Sequence, residues 1–160
     1  AAKGSVHFEG LLEACVRGTP PESLGEVARV LATRISEEME EDLKPLVPQA
    51  VETVRKVIAS QMWKTASASP EWHAEVPFAV EIRPDVILSG RIDLAYLTPE
   101  GWVLVDYKTE RLQEDLVAQA QGHADPLRLY AEAWTRGTGQ EVAKAGIFFA
   151  RRGDPVEWVV

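Results

Sequence analysis

Cysteine is nearly absent from this sequence, and long apolar runs are absent altogether. The single cysteine in 160 residues, Cys15, excludes an internal disulfide and any cluster held by four cysteines of this chain. No apolar stretch reaches the length needed to cross a membrane, so no membrane partner is expected. One cysteine is compatible with the reducing cytoplasm, which is the location we expect.

Positive charge is also scarce. The 17 lysine and arginine residues are outnumbered by 25 aspartate and glutamate residues, which gives a formal net charge of −8. A chain with this charge is poorly suited to holding nucleic acid by electrostatic attraction alone. If the partner is nucleic acid, cations or neighbouring domains must supply the attraction.

Apolar residues, by contrast, are plentiful enough for one globular domain. They make up 46% of the 160 residues, which is sufficient for a core of ordinary size. We expect a single domain over residues 1–160, with a helical part at 1–69 and a sheet core at 70–160. The opening Ala-Ala, without an initiator methionine, favours a module cut from a longer polypeptide over a processed terminus.

The helical part contains three amphipathic segments. Apolar residues recur at helical spacing in residues 5–18, after the capping sequence TPPE at 19–22, and between Val47 and Met62. After residue 70 the period changes to that of strands, and three strands are expected at residues 72–82, 86–97 and 101–109. In the first strand, the even-numbered residues from 72 to 82 should share one face.

Helices are predicted again after the third strand. One covers residues 112–121, and the next begins with Asp125 as its N-cap; two strands around RRGDP then end the chain. The order of elements is helices, three strands, helices and two strands. It predicts an α/β fold of the mixed α+β kind, with a central mixed sheet flanked by helices and an N-terminal helical segment.

The third predicted strand, GWVLVDYKTE, ends in charged residues. Asp106 and Lys108 share a face because side chains alternate along a strand. A hairpin between the second and third strands would bring Asp93 near Asp106. Two such acids repel one another and lose hydration unless a cation offsets them, and carboxylate oxygens suit Mg²⁺ or Mn²⁺.

These residues, in this order, resemble a known family. The segments GRIDLAY, VLVDYKT and LRLYAEAW are similar to motifs of the RecB-type nucleases of the PD-(D/E)XK superfamily, the C-terminal module of RecB and AddA helicase-nucleases. The resemblance implies a restriction-endonuclease-like core and a DNA nuclease, of exonuclease type, that depends on Mg²⁺ or Mn²⁺. It implies a role in double-strand-break repair and recombination, with single-stranded or unwound DNA as substrate.

The resemblance also implies partners and a cofactor set. A helicase domain in the same polypeptide would feed the nuclease, and a partner nuclease subunit is a further candidate. We expect the isolated domain, with its negative charge, to bind DNA weakly without that motor. The iron–sulfur cluster of AddB-type relatives is not expected, because the four cysteines that hold it are lacking.

Residue by residue, the resemblance assigns the chemistry to five positions. Asp93, Asp106 and Lys108 would be catalytic, and Lys108 would orient a water and offset charge on the phosphate. His7, Asp93, Asp106 and the backbone carbonyl of Tyr107 would bind the metal. An aspartate and a lysine at a strand end are, by themselves, more often a surface ion pair; the ordered set is what favours a site.

Three further residues are supporting candidates with ordinary structural alternatives. Glu75 fits the family's earlier acid but equally fits a solvated strand residue. Tyr130 matches the family's tyrosine and also fits the apolar stripe of its helix. Arg91 shares a face with Asp93 and would pair with it or contact phosphate. Pro126 stands where the family has glutamine, so a catalytically lapsed domain that binds DNA or a partner subunit remains the alternative function.

Overall fold

The computed structural model describes residues 46–160, together with the isolated positions Ser23, Glu26 and Val30. The helices predicted before residue 46 and the candidate ligand His7 lie outside the described residues. The chain divides into two compact units, Ala1–Ser60 and Gln61–Val160. None of the described helices is long and apolar enough to span a membrane.

In the first unit, the described helix is α1, Leu46–Ala59. Its buried residues Val51, Val54 and Val57 recur every three positions and form one face, as expected for an amphipathic helix. The helix ends before Ser60. The apolar stripe predicted from Val47 to Met62 is therefore divided between two helices, of which the second starts the second unit.

The second unit is an α/β domain built on a five-stranded mixed sheet. Its sheet order is β1-β2-β3-β4-β5, with β3 and β4 parallel and the other neighbouring pairs antiparallel. The two helices between β3 and β4 make the crossover that parallel strands require. The predicted mixed sheet flanked by helices is confirmed. The elements are α2 Gln61–Ser67, β1 Trp72–Arg83, β2 Val86–Thr98, β3 Gly101–Lys108, α3 Leu116–Gln121, α4 Ala124–Thr138, β4 Val142–Phe149 and β5 Glu157–Trp158.

The starts of the two crossover helices differ from the predictions. Asp115 accepts a hydrogen bond from Ala118 N at 2.9 Å, so α3 begins at residue 116 and not at 112. Helix α4 begins at residue 124 with His123 at the N-cap, so the prediction that Asp125 caps it is wrong. Asp125 lies inside the first turn and pairs with Arg128 at 2.9 Å. At this position its negative charge still interacts favourably with the helix dipole.

The N-terminus of α2 is capped from the far end of the chain. Asp154 Oδ2 accepts a hydrogen bond from Gln61 N at 2.6 Å, and its Oδ1 accepts one from Met62 N at 3.3 Å. Backbone N–H groups in the first turn of a helix have no partner within the helix, so a carboxylate there satisfies two of them. The RRGDP segment therefore joins the end of the sheet to α2.

The core of the second unit lies between the sheet and α4. The rings of Trp102 on β3 and Trp134 on α4 lie 4.7 Å apart, centroid to centroid. Leu104, Leu127 and Ile147 are almost fully buried in the same cluster. Such packing anchors β3 firmly, and β3 is the strand that carries Asp106 and Lys108.

Gly146 on β4 provides a test of this packing. An added Cβ would lie 2.6 Å from Val156 Cγ1, 2.7 Å from Trp158 Cε3 and 2.9 Å from the carbonyl oxygen of Glu157. Because the third of these is backbone, Gly146→Ala should lower the free energy of unfolding by about 1–3 kcal/mol. Urea unfolding monitored by tryptophan fluorescence measures this.

The matched control is Gly137→Ala in α4. An added Cβ at Gly137 would meet no heavy atom within 4 Å, and alanine favours a helix over glycine by about 0.5–1 kcal/mol. Gly137→Ala should therefore raise the unfolding midpoint while Gly146→Ala lowers it. Equal effects of the two substitutions would contradict the crowding at Gly146.

Candidate active site

The two aspartates predicted to meet do meet at the end of the β2–β3 hairpin. The antiparallel pairing of these strands ends at Leu94↔Val105, and the same register places Asp93 opposite Asp106. Beyond the last strand pair, a side chain takes the place of a backbone carbonyl as hydrogen-bond acceptor. The Oδ2 atom of Asp93 accepts a hydrogen bond from Tyr107 N at 2.7 Å. Asp93 is therefore fixed to the strand that carries Asp106.

Lys108 lies on the same face as Asp106 and contacts it. Its Nζ is 2.7 Å from Asp106 Oδ2, and the two side chains are 30% and 17% exposed. The same Oδ2 atom is buried and has no well-aligned hydrogen-bond donor. The contact is thus a close, partly buried ion pair that fixes the amine of Lys108 on Asp106.

The first strand changes face at Glu75. His73 stacks at 5.7 Å on the ring of Trp102, which itself packs against α4. Five residues later, Phe78 packs at 5.1 Å on Tyr130 of the same helix. Residues an odd number of positions apart face opposite sides of a regular strand, so the alternation fails once between them. Glu75, with a left-handed φ of 55°, is where the backbone departs from the strand conformation.

The prediction that the even-numbered residues from 72 to 82 share one face is therefore wrong. The physical reason is the left-handed backbone at Glu75. The strand pairs on either side of Glu75 place it opposite Asp93, so its carboxylate is brought to the site. Left-handed backbone at a residue other than glycine costs on the order of 1 kcal/mol or more, and such residues concentrate at functional sites.

Arg91 pairs with Glu75, the residue diagonally across from it on β1. Its Nη1 donates to Glu75 Oε2 at 2.9 Å, and the arginine side chain is 60% exposed while the glutamate is 20% exposed. The sequence predicts that Arg91 pairs with Asp93 or contacts phosphate, and the ion pair described here is one with the neighbouring acid. Glu75, Asp93 and Asp106 thus form a row of three carboxylates across β1, β2 and β3, which we term the acid row.

Burial and mutual repulsion act on the acid row. Burial, then the charge of Asp106, raises the pKa of Asp93 from 3.8 to about 7, although the Tyr107 hydrogen bond opposes the rise. Burial also works to lower the pKa of Lys108, but the charge and contact of Asp106 outweigh it and hold that pKa above its ordinary value. The lysine therefore stays protonated beside the aspartates at neutral pH.

Two of the remaining candidate residues, Tyr130 and Tyr107, make contacts with aromatic side chains. Tyr130 packs on Phe78, and its hydroxyl lies 3.5 Å from where a Cβ of Gly90 would be, so it contacts the base of the β1–β2 hairpin. Tyr107 is half-buried and packs edge-on against Phe148 at 6.1 Å. His7 lies outside the described residues. The structure thus brings the acid row, Lys108 and Arg91 together.

A buried glutamine organises the loop that follows Lys108. Gln119 Nε2 donates to Glu110 Oε1 at 2.8 Å and to the carbonyl oxygen of Arg111 at 3.0 Å, and its Oε1 accepts from Gln113 N at 2.9 Å. Glu110 Oε1 also lies 2.8 Å from His123 Nε2, and this contact is the main reason that the pKa of Glu110 is lowered. Sequence reasoning missed this network, although Gln119 falls on the buried face of α3 at helical spacing from Leu116.

Removing this network should destabilise the chain. Gln119→Leu leaves three hydrogen-bonding groups of the loop without their partner, and each loss costs roughly 1–3 kcal/mol before water replaces part of it. We expect the free energy of unfolding to fall by about 2 kcal/mol, as measured by urea unfolding. The control is Gln121→Leu, an exposed glutamine of the same helix, which should change stability by less than about 0.5 kcal/mol. A similar loss in both variants would contradict the role of Gln119.

The acid row has the chemistry of a site for a hard divalent cation. Asp106 supplies a buried oxygen without an aligned donor, and Asp93 supplies a carboxylate whose charge is disfavoured by its neighbours. A cation would remove both costs, and oxygen ligands suit Mg²⁺ or Mn²⁺. Among the residues the structure describes, no group of three or more His, Cys, Asp or Glu side chains has metal-binding geometry. Among the described residues, the ligands available to such an ion are the two carboxylates of Asp93 and Asp106.

A mixed five-stranded sheet that places two aspartates and a lysine at the end of one hairpin defines a restriction-endonuclease-like domain. The chain belongs to the PD-(D/E)XK nuclease superfamily, whose family model matches residues 6–157. The resemblance deduced from the motifs is thereby confirmed at the level of the superfamily.

Two known proteins are similar to this chain over part of their own length. An ATP-dependent helicase/nuclease subunit of Carboxydothermus hydrogenoformans is 28% identical over 109 residues, which cover 60% of this chain and 9% of that protein. A crystal structure of a candidate exonuclease from Eubacterium rectale aligns with a TM-score of 0.57 at 12% identity, covering 99% of this chain and 59% of that one. The second similarity shows the shared fold.

Proposed function

We propose that this chain is a metal-dependent DNA nuclease domain of exonuclease type. The observation that carries the proposal is the Asp106–Lys108 pair at 2.7 Å beside the half-buried Asp93. Membership of the nuclease superfamily supports the reaction class. The substrate we propose is single-stranded or unwound DNA, and the reaction is hydrolysis of its phosphodiester bonds.

In the proposed mechanism, Asp93 and Asp106 hold the cation, Mg²⁺ or Mn²⁺. Lewis-acid activation of the phosphodiester and of the attacking water is the chemistry that the bound cation supplies. Asp106 also fixes the amine of Lys108, which is protonated and oriented towards the position of the phosphate. Lys108 there orients the water and offsets the charge that builds up on the phosphate oxygens.

Further residues complete the proposed site. His7 and the backbone carbonyl of Tyr107 are proposed as additional metal ligands, and Glu75, Arg91 and Tyr130 as supporting residues. Glu75 has the support of its position in the acid row. Tyr130 has the support of its contact with the β1–β2 hairpin that carries Glu75 and Arg91.

We propose that the domain works in double-strand-break repair and recombination as the nuclease module of a helicase-nuclease in the cytoplasm. The name of the similar helicase/nuclease protein supports this context. The proposed partners are a helicase domain in the same polypeptide and a second nuclease subunit. The net charge of −8 is consistent with a module that receives its DNA from a motor.

End-labelled linear duplex and single-stranded DNA, incubated with the chain and Mg²⁺ or Mn²⁺, test the proposal. We expect cleavage of single-stranded DNA that stops when EDTA is added, and faster cleavage when the chain is joined to a helicase motor. An absence of cleavage in both settings would refute the nuclease assignment.

The alternative is a catalytically lapsed domain that binds DNA or a partner subunit. Pro126, which stands in the first turn of α4 at the family's glutamine position, is the observation that favours it. Titration calorimetry with Mn²⁺ separates the two functions. A lapsed site should bind no Mn²⁺ through Asp93 and Asp106, whereas the active site should lose its Mn²⁺ binding in Asp93→Asn and Asp106→Asn.

A further inference from the structure

The exposed arginine beside the acid row has a use that the hydrolytic reaction does not assign to it. We propose that Arg91 contacts a phosphate of the DNA strand adjacent to the scissile one, and that Glu75 is the positioning residue that aims its guanidinium. This inference rests on the proposed function and names how the substrate strand is held at that site.

The position of Arg91 is the first support. It lies two residues before Asp93 on β2, and its side chain is 60% exposed although its Nη1 is held 2.9 Å from Glu75 Oε2. A guanidinium has five N–H donors in a planar fork, so it can contact a carboxylate and a phosphate at the same time. The head group is thus held at the edge of the acid row, on the side open to solvent.

The conformation of Glu75 is the second support. A left-handed residue inside a strand costs free energy, and the result here is a carboxylate that is 20% exposed and lies opposite Asp93. A third acid opposite Asp93 adds charge repulsion to the acid row. An exposed ion pair contributes little to stability, so stability alone is a weak reason for this arrangement. Holding Arg91 in one orientation is a functional reason.

The charge of the site is the third support. Three carboxylates in a chain of net charge −8 repel a phosphodiester backbone, and the cation and Lys108 act at the scissile phosphate only. A neighbouring phosphate needs its own positive partner at the rim of the row. Arg91 is placed for that contact because it is tied to the outermost acid of the row.

Binding of a labelled single-stranded oligonucleotide in EDTA, over a series of salt concentrations, tests the contact without hydrolysis. Arg91→Ala should weaken binding at low salt by about tenfold. It should also make the slope of log affinity against log salt shallower by about 0.7, the value for one phosphate contact on a single strand. Arg91→Lys should recover part of the affinity, because it restores the charge without the fork.

Glu75→Gln gives the sharper result because two explanations predict opposite changes in its affinity for DNA. If Glu75 acts only through its charge, removing it should tighten the binding of a polyanion. If Glu75 positions Arg91, the same variant should weaken binding several-fold. In the Arg91→Ala background, Glu75→Gln should no longer weaken binding, and this loss of effect is the signature of the pair.

Lys144→Ala is the matched control, since it removes one positive charge from an exposed residue near the start of β4. Lys144 lies beside Val103 in the parallel register of β3 and β4, so the two side chains share a face of the sheet. Leu104 and Asp106 point to the opposite face, which packs against α4. The Lys144→Ala variant should bind and cleave like the parent. Tighter binding by Glu75→Gln, or an unchanged salt slope in Arg91→Ala, would overturn the proposal.

Cleavage assays in Mn²⁺ keep the two proposals separate. With an active parent, Arg91→Ala should raise KM more than it lowers kcat. If the parent cleaves DNA and Arg91→Ala changes neither KM nor the salt slope, only the phosphate contact is refuted. If the parent fails to cleave but binding depends on Arg91 as described, the proposed hydrolysis fails and the contact stands.

Discussion

Asp106→Asn should reduce the rate of DNA cleavage by about a thousandfold while the chain remains folded. Asp106 has two roles in the proposed site, as a charged ligand of the cation and as the partner of Lys108 at 2.7 Å. Activation by a bound cation amounts to several kcal/mol of transition-state stabilisation, and each 1.36 kcal/mol corresponds to a factor of ten in rate. Asparagine has the same shape, so the loss reports the charge and not the packing.

The measurement is the initial rate of release of labelled nucleotides in Mn²⁺, with the unfolding midpoint of each variant as the folding control. Lys108→Ala should lose a factor of about 100–1000, comparable to the removal of a donor aimed at developing charge. Lys144→Ala should retain the parental rate. If Asp106→Asn and Lys108→Ala both cleave as fast as the parent, the assignment of the site is wrong.

The sequence predicts this part of the site because the relevant signals are local. The alternation of side chains on one strand puts Asp106 and Lys108 on the same face, and the contact between them follows. A short hairpin fixes which residues of β2 and β3 are opposite, so the proximity of Asp93 also follows from neighbouring residues. The bounds of the first three strands were predicted to within one residue for the same reason.

Features that depend on distant residues could not be predicted in this way. The left-handed backbone at Glu75 has no local signal, because glutamate is an ordinary strand residue and glycine is the residue expected at such a φ. The pairing of Arg91 with Glu75 follows from that conformation. The capping of α2 by Asp154 joins positions 93 residues apart in sequence, and helical periodicity carries no information about such a contact.

The ionised carboxylate of Asp93 is required by the proposed function but destabilises the metal-free fold. Its pKa of about 7 in the folded chain compares with 3.8 for an ordinary aspartate, and the largest cause is burial, followed by the charge of Asp106. The folded chain therefore binds this proton more tightly than the unfolded chain does. By linkage, the contribution of Asp93 to stability is greatest below pH 4 and is lost as the pH rises from about 4 to about 7. At higher pH the buried charge is a net cost to the metal-free fold.

Asp93→Asn should therefore stabilise the metal-free chain at neutral pH even as it abolishes cleavage. A shift of about three units corresponds to a gain of up to about 4 kcal/mol at pH 8, and the amide oxygen of asparagine can still accept the hydrogen bond from Tyr107 N. The gain should shrink to less than about 1 kcal/mol at pH 4, because Asp93 is then protonated in the folded chain and about half protonated in the unfolded chain. Urea unfolding in EDTA between pH 4 and pH 8 measures it.

Addition of Mn²⁺ should make the parent more stable than Asp93→Asn, which reverses their order in EDTA. A cation that binds the folded state raises stability by mass action, and only the parent retains both carboxylates. At neutral pH, Mn²⁺ should raise the unfolding midpoint of the parent and leave Asp93→Asn nearly unchanged. A variant that is no more stable than the parent at pH 8 in EDTA would contradict the buried charge at Asp93. Equal stabilisation of both proteins by Mn²⁺ would show that the cation binds elsewhere. The charge that destabilises the metal-free chain is thus the same charge that binding of the cation requires.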